Sequence, residues 1–256
     1  MKIHVDNSIL FSAFCECFNM SISDLTKEFN IRNKHKDYCT KKKLYYVGEL
    51  DWKESAISSN FNTLEVSSYK DFTKHIKEQG LTMILDQLWL RTMITPFSRS
   101  GSKTYIFIQN RVLSMKGKKY LDYGGALGIE PITVSQNFDY VYLAEIDNNA
   151  FKFARHLADL YNVKNLKTVN SDKIRFLKKK NFDCITSIYS MDCFPFNEAV
   201  KRLTYLLKHC REFYGIWGME NNKQRLSLGE ICANNTNKKL ERIMPIPRSW
   251  SISYIH

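Results

Sequence analysis

With 256 residues, 44% of them hydrophobic, the chain is long enough to bury one sizeable core, or one core and a smaller helical appendage. Seven cysteines in no repeating spacing argue against a disulfide framework and point to a reducing cytoplasm, and no apolar run reaches the about 20 residues that a bilayer span needs. The net charge of +12 raises the question of nucleic acid, but the excess is divided evenly: residues 1–118 hold 18 Lys/Arg against 12 Asp/Glu, and residues 119–256 hold 20 against 14. Local three-residue runs, at Lys41, Lys42 and Lys43 and at Lys178, Lys179 and Lys180, read as solvated faces.

The N-terminal apolar stretch Ile9–Cys15 is short and leads to Glu16 rather than to a small-residue cleavage site, so it is not a signal peptide. Helical periodicity is present at Ile9–Phe18, Asp24–Phe29 and Tyr69–Met93, with a basic, irregular stretch expected over Ile31–Lys43. Ser21-Ile22-Ser23-Asp24-Leu25 carries a faint helix-turn-helix pattern, but no recognition helix follows it. Residues 1–118 are therefore expected to form a helical cap that selects the substrate. Cys15, Cys17, His35 and Cys39 are potential metal ligands, but the tight Cys-x-Cys spacing is atypical of structural zinc, and no metal site is expected.

From residue 119 onward strand and helix alternate, the pattern of a parallel sheet covered on both faces. Strands are predicted at Tyr120–Tyr123, Tyr140–Ile146, Leu166–Val169, Phe182–Tyr189 and Phe213–Trp217. Asp147 is placed as the N-cap of a helix with an apolar side of Ala150, Phe151, Ala154, Leu157, Ala158 and Tyr161. A second helix from about Asn197 to Lys208 buries Ala199, Val200, Leu203, Leu206 and Leu207, and a third spans Arg225–Ala233. Leu240–Ile246 and Ser249–Tyr254, separated by a Pro-Arg turn, are expected to form an antiparallel hairpin at the sheet edge.

The chemistry concentrates in Tyr120-Leu121-Asp122-Tyr123-Gly124-Gly125-Ala126-Leu127-Gly128, a strand entering a glycine-rich turn that holds three of the chain's ten glycines. Such a turn permits positive φ and close approach of a ligand to the backbone, although a plain strand-helix turn has the same composition. Glu145 stands 23 residues beyond Asp122 at the end of the next predicted strand, where a carboxylate in a nucleoside-binding sheet accepts hydrogen bonds from both ribose hydroxyls. Asp172 follows the third strand, where it would meet an adenine amino group or serve as a helix N-cap.

On these residues the segment 119–217 resembles the class I S-adenosylmethionine-dependent methyltransferase family. Leu121–Gly128 is similar to that family's first motif, which implies Asp122, Gly124, Gly125, Ala126 and Gly128 around the methionine portion. Glu145-Ile146-Asp147 resembles the second motif, implying Glu145 on the ribose and Ile146 packed on adenine. Ser171-Asp172 resembles the adenine-contacting segment, and Phe182–Phe194 resembles the fourth strand with its loop, implying a further cofactor contact at Tyr189. Two departures stand out. Ala126 occupies the place of the family's middle glycine, and Asp192-Cys193 replaces a Glu-His pair of many small-molecule members, which removes the inherited histidine base.

The resemblance implies a Rossmann-like, mostly parallel seven-stranded α/β sheet with an antiparallel terminal hairpin, formed by residues 119–256 beneath the cap of residues 1–118. It implies S-adenosylmethionine as cofactor and a small-molecule or sugar-like methyl acceptor. Among Tyr189, Asp192, Cys193, Met219 and Glu220, Asp192 is the candidate catalytic residue. An RNA or DNA methyltransferase is the alternative, disfavoured because Met191-Asp192-Cys193-Phe194-Pro195-Phe196 is not the Asn/Asp-Pro-Pro-aromatic loop that holds a flipped base. A non-catalytic subunit retaining the fold is the third reading, and Ala126 is the residue that suggests it.

Overall fold

The computed structural model describes residues 3, 5–41, 74, 80–89, 91–92, 110–172, 181–188, 190–191, 194–217, 222–246 and 249–254. Strands β1 (Gly117–Tyr123), β2 (Phe138–Glu145), β3 (Leu166–Asn170), β4 (Phe182–Ile188) and β5 (Cys210–Trp217) pair parallel in the order β3-β2-β1-β4-β5. Beyond β5 lie β7 (Ser249–Tyr254) and then β6 (Leu240–Ile246), each antiparallel to its neighbour. The parallel strands run several apolar residues in succession because both faces are covered: Tyr120, Leu121 and Tyr123 are all buried, as are Val141 through Ala144.

One face carries α4 (Ile129–Val134) and α5 (Asn148–Leu160), and the other carries α6 (Phe196–Lys208) and α7 (Asn222–Asn234). Asp147 caps α5, its carboxylate accepting the Asn149 N–H at 2.8 Å. The buried side of α5 is Ala150, Phe153, Ala154, Leu157 and Ala158. Phe153 is therefore the core aromatic of this helix, and Phe151, expected there from sequence, is only half-buried. On α6 the buried stripe contains an arginine, Arg202, among Ala199, Leu203, Leu206 and Leu207.

Three N-terminal helices, α1 (Asn7–Phe18), α2 (Ile22–Lys41) and α3 (Leu81–Trp89), share one apolar core with α4 and α5. Asp6 opens α1 by accepting the Ser8 N–H, and Asn19 closes it in the left-handed conformation. Phe14 meets Phe18 and Phe153 at ring-centroid distances of 4.8 and 5.5 Å. Two expectations are corrected. The basic stretch predicted to be irregular is helical through Lys41, tied early by Arg32, which donates to Glu28 on its own helix and to Asp86 on α3, each at 2.7 Å. The long helix expected over Tyr69–Met93 does not run through Gly80, whose φ of +55° lies outside the helical region, and α3 starts at the next residue; residues 69–73 and 75–79 of that expectation lie outside the described residues.

Candidate cofactor site at the carboxyl edge of the sheet

The strand order reverses between β1 and β4, because the chain goes outward from β1 to β3 and then returns to the other side of β1. Crevices at such a switch point, outside the carboxyl ends of the strands, are where open α/β sheets bind ligands. The residues there are Asp122 and Tyr123 at the end of β1, Glu145 at the end of β2, Ser171 and Asp172 after β3, and Ser187 and Ser190 around the end of β4.

The glycine turn is shaped by neighbouring side chains. A Cβ on Gly124, whose φ is +75°, would fall 2.3 Å from the Ser190 Cβ, and one on Gly125 would fall 1.8 Å from an Asp122 carboxylate oxygen. A Cβ on Gly128 would meet the Ala154 Cβ at 2.6 Å, so the third glycine lets α4 approach α5. These glycines answer to the protein's own packing. Ala126 sits between them at φ +40°, a conformation that an alanine adopts only at a cost.

Its backbone N–H has a clear partner. Ala126 N–H donates to Glu145 Oε1 at 3.0 Å, while Ile146 N–H donates to Oε2 at 2.8 Å, so the Glu145 carboxylate joins the end of β2 to the turn after β1. Glu145 is only 6% exposed, and burial pushes its pKa up against the opposing effect of those two N–H donors. Each carboxylate oxygen has further acceptor capacity beyond one N–H.

Asp122 is buried more deeply. Its Oδ1 accepts the Thr186 hydroxyl at 2.9 Å, Thr186 in turn lies 2.5 Å from the Tyr120 hydroxyl, and Oδ2 has no hydrogen-bond partner among the described residues. Burial first, and then the charges of Glu130 and Glu145, raise the Asp122 pKa well above the ordinary carboxylate value, against the Thr186 hydrogen bond and the Arg91 charge. Arg91, from the N-terminal region, also pairs with Glu130 at 3.4 Å, which brings a residue from before β1 to the glycine-turn side of the sheet.

The Ser187 and Ser190 hydroxyls are 2.5 Å apart, and Ser190 donates to the Tyr123 carbonyl at 2.9 Å, fixing the end of β4 to the end of β1. Ser171 N–H donates to the Glu145 carbonyl at 2.9 Å, and Asp172 N–H to the Asn170 side chain at 2.7 Å. Ile146 is buried within the apolar cluster on the α6 face. The edge thus gathers Asp122, Gly124, Gly125, Ala126, Glu145, Ile146 and Asp172, with Gly128 at the start of α4. Tyr189, Asp192, Cys193, Met219 and Glu220 lie outside the described residues.

Sequence reasoning missed Thr186, Ser187, Ser190, Arg91 and Arg202. Arg202 alone left a signal, as a charge three residues from Ala199 on an otherwise apolar helix stripe. A groove between α1 and α5, lined by Glu16, Cys17, Lys152, Arg155 and His156 among others, takes in none of the strand-end residues. Cys15 is buried and Cys17 half-buried, both as free thiols, and no group of three or more His, Cys, Asp or Glu among the described residues is placed to hold a metal ion. No helix among the described residues is long and apolar enough to cross a membrane.

No family model and no curated protein matches the sequence. Solved structures match the fold. The magnesium protoporphyrin IX methyltransferase of Synechocystis PCC 6803, crystallised with S-adenosylhomocysteine, aligns with a TM-score of 0.53 and 13% identity over 73% of this chain and all of its own. The N-methyltransferase NodS of Bradyrhizobium japonicum, also with S-adenosylhomocysteine, aligns with a TM-score of 0.52 and 12% identity over 73% of this chain and 96% of its own. The chain has the Rossmann-like α/β fold of the S-adenosylmethionine-dependent methyltransferases.

Proposed function

We propose that this chain is an S-adenosylmethionine-dependent methyltransferase whose cofactor lies across the carboxyl ends of β1, β2 and β3. The observation that carries this reading is the meeting, at one switch point, of the glycine turn, Glu145 and the Ser171-Asp172 segment. The parallel α/β core covered on both faces supports the same reading. Two methyltransferases of like fold were each crystallised with the demethylated cofactor.

In this reading Glu145 accepts hydrogen bonds from the ribose hydroxyls with the capacity its two backbone donors leave free. The turn Gly124-Gly125-Ala126 and Asp122 face the methionine portion, and the unpartnered Oδ2 of Asp122 is a buried polar atom that a ligand or water would satisfy. Ile146 and Asp172 address the adenine, and Gly128 keeps α4 close enough to α5 to close the turn. When bound, the cofactor supplies an electrophilic sulfonium methyl. The protein's part is then to align the acceptor in line with it and to exclude water.

The acceptor is assigned as a small-molecule or sugar-like nucleophile, with Asp192 as the residue that takes a proton where one must leave. Residues 1–118 are assigned to acceptor selection, a role supported by Arg91 reaching Glu130 at the edge of the turn. A nucleic-acid acceptor is the second reading, favoured by the net charge of +12 alone. Calorimetry with S-adenosylmethionine and S-adenosylhomocysteine, followed by a methyl-transfer screen across small molecules, RNA and DNA, tests both. Failure to bind either cofactor form overturns the enzyme assignment. Submicromolar RNA or DNA binding that weakens steeply with salt promotes the second reading.

A further inference from the structure

Arg202 is buried to 2% exposure on α6, on the stripe that otherwise holds alanine and leucine. A buried arginine costs desolvation that an apolar residue of similar volume avoids, so its contacts must answer for its presence. They join three segments far apart in the chain. The Nη1 group donates to the Tyr123 hydroxyl at 2.6 Å and to the Ser171 carbonyl at 2.9 Å, and the guanidinium lies 4.8 Å from the centre of the Phe194 ring. Its Nε donates to Glu198 at 2.7 Å, one turn earlier on the same helix, which balances the charge.

Tyr123 is the last residue of β1, directly before Gly124, and its own carbonyl is held by Ser190. Ser171 is the residue before Asp172, and its N–H is bound to the Glu145 carbonyl. The guanidinium therefore bridges the strand that feeds the glycine turn and the segment assigned to adenine. We infer that Arg202 is a positioning residue for nucleoside recognition: through Tyr123 and Ser171 it fixes the distance between the glycine turn and Asp172, and so sets the selectivity for the adenine base. The inference rests on the methyltransferase reading above.

The test measures calorimetric affinity for S-adenosylhomocysteine and for its hypoxanthine counterpart, alongside melting temperature, in the full chain and in R202M, R202K, Y123F and E145A. The full chain is expected to prefer the adenine ligand. R202M should weaken S-adenosylhomocysteine binding by about tenfold, the scale of losing hydrogen bonds from a charged donor, and should narrow the adenine-to-hypoxanthine ratio. R202K, with one ammonium in place of a planar fork, should recover part of that ratio. Y123F removes only the 2.6 Å contact and should narrow the ratio less, which decides the matter if R202M does not fold.

E145A serves as the contrast: losing the ribose carboxylate should weaken both ligands more than R202M does, while the ratio narrows less than in R202M, since only the Ala126 tie of the turn is lost with it. A wild-type ratio in folded R202M and Y123F, or a full chain that binds both bases equally, overturns the role of Arg202. A full chain that binds neither ligand overturns the cofactor assignment itself and the inference with it, a result distinct from the first.

Discussion

The two faces of the sheet are covered in different ways. On the α4–α5 face the helices against the strands are themselves packed by α1 and α3, with Phe14, Leu88 and Phe153 fully buried, and the buried Tyr120–Thr186–Asp122 hydrogen-bond chain lies beside α4. On the α6–α7 face the helices rest on the strands, and Arg202, the one buried cation among the described residues, bonds to Tyr123, Ser171 and Glu198 there. The first arrangement adds burial and hence stability. The second gives up some stability to fix the relation between strand ends. The difference separates residues whose loss should unfold the chain from residues whose loss should change only what it binds.

The largest expected effect lies on the first face. Phe153 is fully buried against Phe14 and Phe18, and Phe153→Ala should destabilise the fold by about 3–5 kcal/mol through lost burial and an unfilled cavity. Urea unfolding gives the value. A loss below about 1 kcal/mol would mean that the N-terminal helices do not pack on α5 in solution.

Next in size is Glu145→Ala, at the strand ends between the two faces. In the proposed site it removes two hydrogen bonds to the ribose, and affinity for S-adenosylmethionine should fall by about 2–4 kcal/mol in calorimetry. Unchanged affinity in a folded variant would refute the ribose assignment.

A smaller effect concerns pH. Asp122 and Glu145 both have folded-state pKa values raised above their ordinary ones, chiefly by burial. Such groups bind protons more tightly when folded, so the stability they contribute is full below the ordinary carboxylate range and is lost as pH rises through the raised values. Urea midpoints should therefore decline across that interval, and Asp122→Asn, which cannot ionise, should flatten the decline. An identical slope in the two proteins would mean that Asp122 titrates normally.

Much of the fold was legible because strand and helix periods follow burial. β3, β4 and the α5 cap are placed within a residue or two of their predicted bounds, since alternating apolar runs and Asp147 carry those signals locally. The helix through Lys41 was not legible, because its apolar content is low and its order comes partly from Arg32 reaching Asp86, a contact across 54 residues. At the candidate site the acidic and glycine positions could be read, as their spacing matches a motif. Their partners could not. Thr186, Ser190 and Tyr123 act through contacts 64 to 79 residues apart in sequence, and a serine or threonine at a strand end has no periodic signature.

The smallest effect is expected at Ala126, which lies on the turn that both halves of the site share. Its φ of +40° places an L-residue in the left-handed region, where the methyl group crowds the backbone by about 1–2 kcal/mol. Glycine there removes the crowding but adds unfolded-state freedom worth about 0.5–1 kcal/mol. The first term is larger, so Ala126→Gly should stabilise the chain by about 0.5–1 kcal/mol, a rise of about 1–4 °C in the melting temperature for a protein of this size. The Ala126 N–H bond to Glu145 holds the residue in this conformation, so the gain should shrink when Glu145 is also replaced and the turn is free to relax. A glycine variant that melts lower than the parent would show instead that the Ala126 methyl packs usefully, and that the departure from the family's glycine is an adaptation of this turn.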